Sequence, residues 1–429
     1  MTDHVTHPRF TVIIPQKDRA EYLGPTLRSC MAQDYPNLEI IVSDDGSTDG
    51  SVEVVRALMA VDSRIKLFTH ERHIGMRENF EFALRQAQPG YVIALGGDDG
   101  LVVGAVTRMH EILRETGREL LTWPMAGFTY PERPGGENIL YIERRKDRGV
   151  RFLRSRDWLN DIARTFRYQT SECPMFYMKG VASTTLVDRV RSRTPDGSFY
   201  VCPTPDGFSG VVLAGEVEDF AFTDEPLSIG GTTHKSQGKR YQQADVESKQ
   251  VAERFFVDNA QRRMHRELAS QPYSPLSTLM TADYLLTARD LPGWPGEFET
   301  LSYEGLIRAS FDLMATSPFE TEVLVRELRI LREIAVQHGL LALFDDLHAR
   351  SRRRVIRAPL VHGFVITGLI RFEGSKLGVR NVYDAAQVVP FLYRVYCTLS
   401  LTSGLDFLRN SWRVFARSRS VSVEKYPRI

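Results

Sequence analysis

The sequence predicts an α/β protein: a Rossmann-like, mostly parallel sheet with helices on both faces over residues 1–240, then an all-α C-terminal lobe over 241–429. Three features carry this expectation. Short apolar β-type runs alternate with stretches of helical period through residues 10–123, the rhythm of βαβ units. Two of these runs end on adjacent carboxylates beside glycine, Asp44-Asp45-Gly46 and Gly96-Gly97-Asp98-Asp99. Beyond residue 237 apolar side chains recur at spacings of three and four, the mark of amphipathic helices.

Residues 10–14 are a buried-strand candidate closed by Pro15. Tyr22, Leu23, Leu27, Cys30 and Met31 then recur at helical spacing, with Pro25 tolerable in a first turn, until Tyr35-Pro36-Asn37 breaks the pattern. Residues 40–42 give the second strand. The Ser/Thr/Asp cluster after it, with Asp49 and Ser51 placed as caps, starts a helix faced by Val52, Val55, Leu58 and Met59. Residues 65–68 are a third strand, and Phe80, Ala83, Leu84 and Ala87 a third helix ended by Pro89-Gly90. Residues 91–95 form a fourth strand and 120–123 a fifth, with Val103, Val106, Met109, Ile112 and Leu113 on the helix between them. Over 127–233 glycine and proline clusters separate shorter pieces: a helix near 207–217 and strands at 220–222 and 227–229. Helices are expected at 246–269, 276–288, 303–315 and 320–343.

The bulk numbers bound the class. With 429 residues, two domains are the expectation. The hydrophobic share of 42% and charged share of 25% are those of a soluble globular chain, and a net charge of +1 makes no electrostatic case for nucleic acid. Cys30, Cys173, Cys202 and Cys397 are scattered, without zinc spacing or a disulfide framework, which suits a reducing compartment. No signal-peptide pattern and no long apolar run are seen, so a cytoplasmic protein is expected. The run Arg352-Arg353-Arg354, with Arg357, beside an apolar segment leaves room for peripheral contact with the inner face of a membrane through a basic helical C-terminal region.

In an open α/β sheet the carboxyl ends of the strands form the ligand crevice. Asp44 and Asp45 would stand there, suited to hydroxyl or imide donors or to a metal. Asp98 and Asp99 would face the same crevice, where two adjacent carboxylates repel unless a cation or donors compensate. Hard divalent ions take one or two carboxylates plus substrate phosphates, and Gly97 lets a diphosphate approach the backbone. The bland reading is also open: Asp caps helices, and Gly with Asp makes turns.

Together the segments Val-Ile-Ile-Pro-Gln-Lys-Asp-Arg from Val12, Gln33-Asp34-Tyr35-Pro36-Asn37, the run from Ile40 to Ser51, Gly75, Asn79-Phe80 and Leu95-Gly-Gly-Asp-Asp99 resemble glycosyltransferase family 2. The resemblance covers about residues 8–240. It implies the GT-A fold, with a nucleotide-binding half over 8–125 and an acceptor-side half over 126–240. It also implies metal-assisted, inverting transfer of a sugar from a nucleotide sugar, UDP favoured, to a glycan, lipid-linked or protein-linked acceptor. Surface polysaccharide biosynthesis is the implied setting.

Carried over by position, Pro15, Asp18, Asp44, Asp45, Arg77, Gly97 and Asp98 would bind the donor. Asp98, Asp99 and His234 would hold magnesium or manganese, and Asp206 would be the catalytic base. Glu218-Asp219 resembles the family's base pair in letters, but a strand-like run follows it where Asp206 precedes a helix, so Asp206 is preferred. Gly96 departs from the first Asp of the family's Asp-x-Asp motif. That departure supports the alternative of a catalytically inactive nucleotide-sugar-binding scaffold with a helical interaction lobe.

Overall fold

The computed structural model describes residues 7–131, 138–145, 147–236, 255–259, 261–317, 319–350, 352–356, 363–364, 369–395 and 421–426. The first strands and helices alternate: β1 (Phe10–Gln16), α1 (Ala20–Met31), β2 (Leu38–Asp44), α2 (Ser51–Met59), β3 (Ile65–Thr69), α3 (Met76–Gln86) and β4 (Tyr91–Ala94). Next come β5 (Gly100–Leu101), α4 (Ala105–Thr116), β6 (Leu120–Thr122), β7 (Ala126–Thr129), β8 (Ile139–Glu143) and β9 (Arg151–Arg154). They are followed by α5 (Ser155–Thr165), β10 (Gly180–Ser183), α6 (Thr184–Arg191), α7 (Asp206–Gly215), β11 (Asp219–Phe222) and β12 (Ser228–Thr232). The C-terminal region contributes α8 (Ser277–Arg289), α9 (Tyr303–Thr316), α10 (Thr321–Gln337), α11 (Leu341–Arg350), β13 (Arg352–Ile356), β14 (Gly363–Phe364), β15 (Leu369–Glu373), α12 (Val382–Tyr393) and β16 (Val421–Lys425).

Eight strands form the main sheet in the order β3-β2-β1-β4-β10-β6-β11-β9. β1 pairs in parallel with β2 and β4, β2 with β3, and β6 with β11, whereas β10 runs against β4 and β6 and β9 against β11. The sheet is therefore mixed, with β1–β4, β6 and β11 all delivering their carboxyl ends to one side. Successive residues of its strands enter opposite cores. Ile13, Ile41, Val92, Leu120 and Phe220 belong to one cluster, which α3, α5, α7 and the helices α8–α11 complete. Val12, Ile14, Ile40, Ile93 and Leu121 belong to the other, completed by α1, α4 and α12. Burial on both faces explains why these strands read as continuous apolar runs.

A second sheet, β14-β15-β8-β7-β12-β5, lies beside the first and brings β12 next to the segment that follows Asp99. Gly127 permits this layer, because a Cβ there would sit 1.8 Å from the Tyr141 ring.

The C-terminal region is helical but not all-α. Leu369–Glu373 is a strand that extends the second sheet through Ile139–Glu143. Arg352–Ile356 pairs antiparallel with Val421–Lys425, so the arginine run forms a ribbon where a basic helix was expected, and Arg357 lies outside the described residues. The helix expected over 246–269 is α-helical only near 255–258, with a single 3-10 turn at Arg266–Leu268; 246–254 lie outside the described residues, and an isolated bridge Arg263–Pro272 interrupts the rest. The expected 320–343 helix ends at Gln337. Gly339, at φ +70°, turns the chain and starts α11, while the Leu340 N–H closes the end on Ala335 O at 2.7 Å. Among the described residues no helix is long and apolar enough to cross a membrane.

Candidate active site

The crevice is built from the ends of β1, β2, β4 and β12. Gln16 and Asp44 are in register across β1 and β2, and the Gln16 amide donates to Asp44 Oδ1. Asp44 Oδ2 also accepts from the Ser47 N–H at 2.9 Å. Asp45 accepts from the N–H groups of Ile74 (2.6 Å) and Gly75 (3.3 Å) and meets His73 Nδ1 at 2.6 Å. Both carboxylates are buried, and burial without donors is costly, so the fold has supplied donors. They shape the loop after β2 and tie it to the segment before α3.

Pro15 sits inside β1 opposite Ser43. Asp18 adopts φ +51° and accepts from the Thr48 N–H at 2.8 Å, lacing the loop after β1 to the loop after β2. Asp49, expected to cap α2, accepts from the Ser51 N–H and hydroxyl and from the Ala20 N–H, while Gly50 occupies the cap position. Arg77 donates to Glu78 Oε1 and to Tyr200 O at 2.9 Å, which ties α3 to the segment before α7.

After β4 the chain turns tightly. Gly97 packs on the β1 loop, where a Cβ would meet Arg19 at 3.0 Å. Asp98 Oδ2 accepts from Thr233 Oγ1 at 3.1 Å and faces Arg19 Nε at 4.0 Å. Two lysines join this edge: Lys17 Nζ donates to Asp45 O at 2.8 Å, and Lys235 Nζ to Asp18 O at 2.9 Å. Arg19 thus faces Asp98, while Lys17 and Lys235 stand on the loops after β2 and β1, three basic side chains along one edge and a composition suited to an anionic group.

Asp99 turns the other way. It accepts from the N–H groups of Gly96 (2.7 Å) and Gly231 (2.9 Å), and burial followed by the neighbouring Asp98 charge raises its pKa. Gly96 fits this arrangement, because a Cβ there would lie 2.8 Å from both Asp99 Oδ2 and the Tyr177 hydroxyl. Gly231 fits it too, since its Cβ would meet Asp98 O at 1.8 Å.

His234 is exposed and contacts the Tyr22 hydroxyl at 3.1 Å through Nδ1. Among the described residues no three His, Cys, Asp or Glu side chains assemble as a metal cage. The donor set does fit an ion of the magnesium type that takes one carboxylate from Asp98 and completes its shell with phosphate oxygens and water.

Asp206 opens α7. Its Oδ2 accepts from the Tyr168 hydroxyl at 3.0 Å and its Oδ1 from the Tyr284 hydroxyl at 3.4 Å. Burial, and then the Asp206 charge, pushes both phenols well above their ordinary pKa, so they remain protonated donors. The loop from α5 to β10 carries Tyr168 to Asp206 and Tyr177 to Asp99, and it is bolted to α7 by the Phe176 N–H on Ser209 Oγ at 3.0 Å. The half-buried Tyr177 feels Asp99, Asp98 and Asp206, so the two acidic poles share one neighbourhood.

Asp219, the rival base, is the first residue of β11, at the end opposite the crevice, and is held by Arg118. Sequence reasoning did not single out Tyr168, Tyr177, Tyr284 or Thr233. No local pattern marks a tyrosine whose role depends on a residue about 40 or more positions away, although Thr233 adjoins the predicted His234.

Two acidic poles, at Asp98 and Asp206, thus flank Tyr177. Residues 11–165 match the family model described as Glycosyl transferase family 2, so the chain carries a glycosyltransferase family 2 domain over those residues. It is 37% identical over 109 residues to the GalNAc(5)-diNAcBac-PP-undecaprenol beta-1,3-glucosyltransferase of Campylobacter jejuni, covering 25% of this chain and 35% of that one. It is 36% identical over 92 residues to an uncharacterized glycosyltransferase of Haemophilus influenzae, covering 21% and 37%. The chain thus spans about a third of the length of these relatives. A similar solved structure is S. aureus TarS 1–349 in complex with UDP-GlcNAc, with a TM-score of 0.43 at 14% identity over 81% of this chain and 94% of that one.

Proposed function

We propose that this chain is an inverting glycosyltransferase that moves a sugar from a nucleotide sugar, UDP-sugar first among candidates, to a glycan, lipid-linked or protein-linked acceptor in surface polysaccharide biosynthesis. The observation that carries this reading is the combination of Asp98, faced by Arg19 on an edge that also bears Lys17 and Lys235, with Asp206 held at the start of α7. The family 2 match over residues 11–165 supports it.

In the proposed reaction the acceptor hydroxyl oxygen forms the new bond to the anomeric carbon as its proton passes to an Asp206 carboxylate oxygen. The bond from that carbon to the diphosphate oxygen breaks on the opposite face, and its electron pair leaves with the nucleoside diphosphate, which inverts the configuration. Lys17, Arg19 and Lys235 orient the diphosphate at the mouth of β1. Asp44, Asp45 and Asp18 hold the loops that would receive the nucleoside. A divalent metal on Asp98 would neutralise charge on the leaving group. Placement in the cytoplasm, with peripheral contact at the inner membrane face, belongs to the same proposal.

The test is turnover of UDP-, GDP- and dTDP-sugars with magnesium or manganese. Asp206→Ala is expected to abolish transfer while donor binding persists, and Asp98→Ala to weaken donor binding. Wild-type turnover by Asp206→Ala, together with loss in Asp219→Ala, would move the base to β11. Donor binding with no turnover of any donor by the wild-type chain favours the inactive scaffold.

A further inference from the structure

Asp206 lies outside the segment matched by the family model, and half of its hydrogen bonding comes from farther still along the chain. We propose that Tyr284 on α8, acting with Tyr168, is a positioning residue for Asp206, so that the C-terminal helical region completes the acceptor-side machinery. This rests on the assignment of Asp206 as the base.

The two phenols approach different carboxylate oxygens, at 3.0 Å on Oδ2 and 3.4 Å on Oδ1. Each is itself oriented by a neighbour. Gln169 Nε2 donates to the Tyr168 oxygen at 3.2 Å, which directs the Tyr168 proton to Asp206. Thr204 Oγ1 lies 2.6 Å from the Tyr284 oxygen and also engages Tyr273. Both rings are fully buried and meet edge to face, with centroids 5.4 Å apart.

The helix start is shaped to admit them. A Cβ at Gly207 would lie 2.4 Å from the Tyr284 ring and 2.6 Å from the Tyr168 ring. A glycine beside the acidic residue, two rings seated where its side chain would be, and two hydroxyls aimed at one carboxylate form a constructed arrangement.

A carboxylate that accepts from two neutral phenols is fixed in rotation, so the lone pairs not engaged by the phenols point in a set direction. Removing either donor frees that rotation, so the carboxylate should meet the acceptor hydroxyl in the productive direction less often while donor binding is untouched.

The experiment measures kcat and donor KM for turnover of UDP-glucose, UDP-galactose and UDP-N-acetylglucosamine with manganese and water as acceptor. It compares wild type, Tyr168→Phe, Tyr284→Phe and Asp206→Asn. kcat should fall about tenfold in Tyr168→Phe, the scale of one charge-assisted hydrogen bond, and by less in Tyr284→Phe, while the donor KM stays at its wild-type value. A purely structural role would raise KM and lower the thermal midpoint along with kcat, and that result overturns the proposal. Undiminished turnover by Asp206→Asn would overturn the base assignment itself. A dead Asp206→Asn with wild-type kcat in both tyrosine variants would overturn only the role of the tyrosines.

Discussion

Gly96 decides how the acidic turn after β4 can be read. The residue departs from the Asp-x-Asp pattern, and from the sequence that departure suggests a weakened metal site. The structure supplies a steric reason for it: Asp99 folds back onto the Gly96 N–H, and the Tyr177 hydroxyl closes over the same spot. A side chain at position 96 would meet two oxygens at 2.8 Å, and an aspartate would add a third carboxylate to Asp98 and Asp99. Restoring the motif with Gly96→Asp is therefore expected to cost about 1–3 kcal/mol of stability through overpacking, before any electrostatic penalty. It should not tighten manganese binding. Urea unfolding and a manganese titration of the variant check both parts; tighter binding at unchanged stability would show that Asp99 is free to reorganise.

Among the elements, α8 is the clearest case of a helix whose sequence hides its role. Its buried residues run around the whole circumference, from Thr278 to Leu286, so no amphipathic stripe marks a face towards the site. Asp283 is buried with it, and burial raises its pKa from the usual 3.8 to about 7 despite the His265 N–H at 2.7 Å. Burial pushes Cys202 and Tyr273 up as well, and the Asp283 charge adds to both shifts. The sign follows from the direction. The folded state holds this proton more tightly than the unfolded chain, so the contribution is full below the unfolded pKa and is lost as pH rises through about 7. Its size is on the order of a few kcal/mol. Asp283→Asn keeps an acceptor for His265, and its stability advantage over wild type should grow between pH 4 and 7 and then level off. Urea midpoints across that range test it, and parallel curves for the two proteins would refute it.

The same helix shows where the sequence was legible. β1, β2, β4 and α7 were predictable because apolar runs ended on turn chemistry within a few residues. The bonds from Tyr284 to Asp206 and from Thr233 to Asp98 join residues far apart in the chain, and no periodicity encodes such a meeting. Gly339 was missed because apolar spacing carried the helix reading across a left-handed turn, and the ribbon of Arg352–Ile356 because its strand partner, Val421–Lys425, lies far along the chain.

At the scale of the whole molecule, the question is whether residue 240 divides two bodies. The core on one face of the main sheet runs without a break from Ile13 and Ile41 through Phe208 to Leu328, Phe344 and Tyr426. On the other face Val382, Ala385 and Val389 of α12 join Val12, Leu27 and Leu101. The Val382 N–H reaches the Tyr130 hydroxyl at 3.3 Å, and β15 is stitched onto β8. A chain whose late helices complete the core of its first strands cannot lose one without exposing the other, so unfolding should be a single cooperative event despite the length. Leu328, fully buried in α10, provides the probe. Leu328→Ala is expected to cost about 2–5 kcal/mol. In calorimetry the wild type should give one peak whose calorimetric and van't Hoff enthalpies agree, and the variant should shift that peak as a whole. Two peaks, of which only one moves, would instead establish a separable C-terminal domain. The contact of Tyr284 with Asp206 would then have to be maintained across an interface, and turnover should fall at the temperature of the first transition.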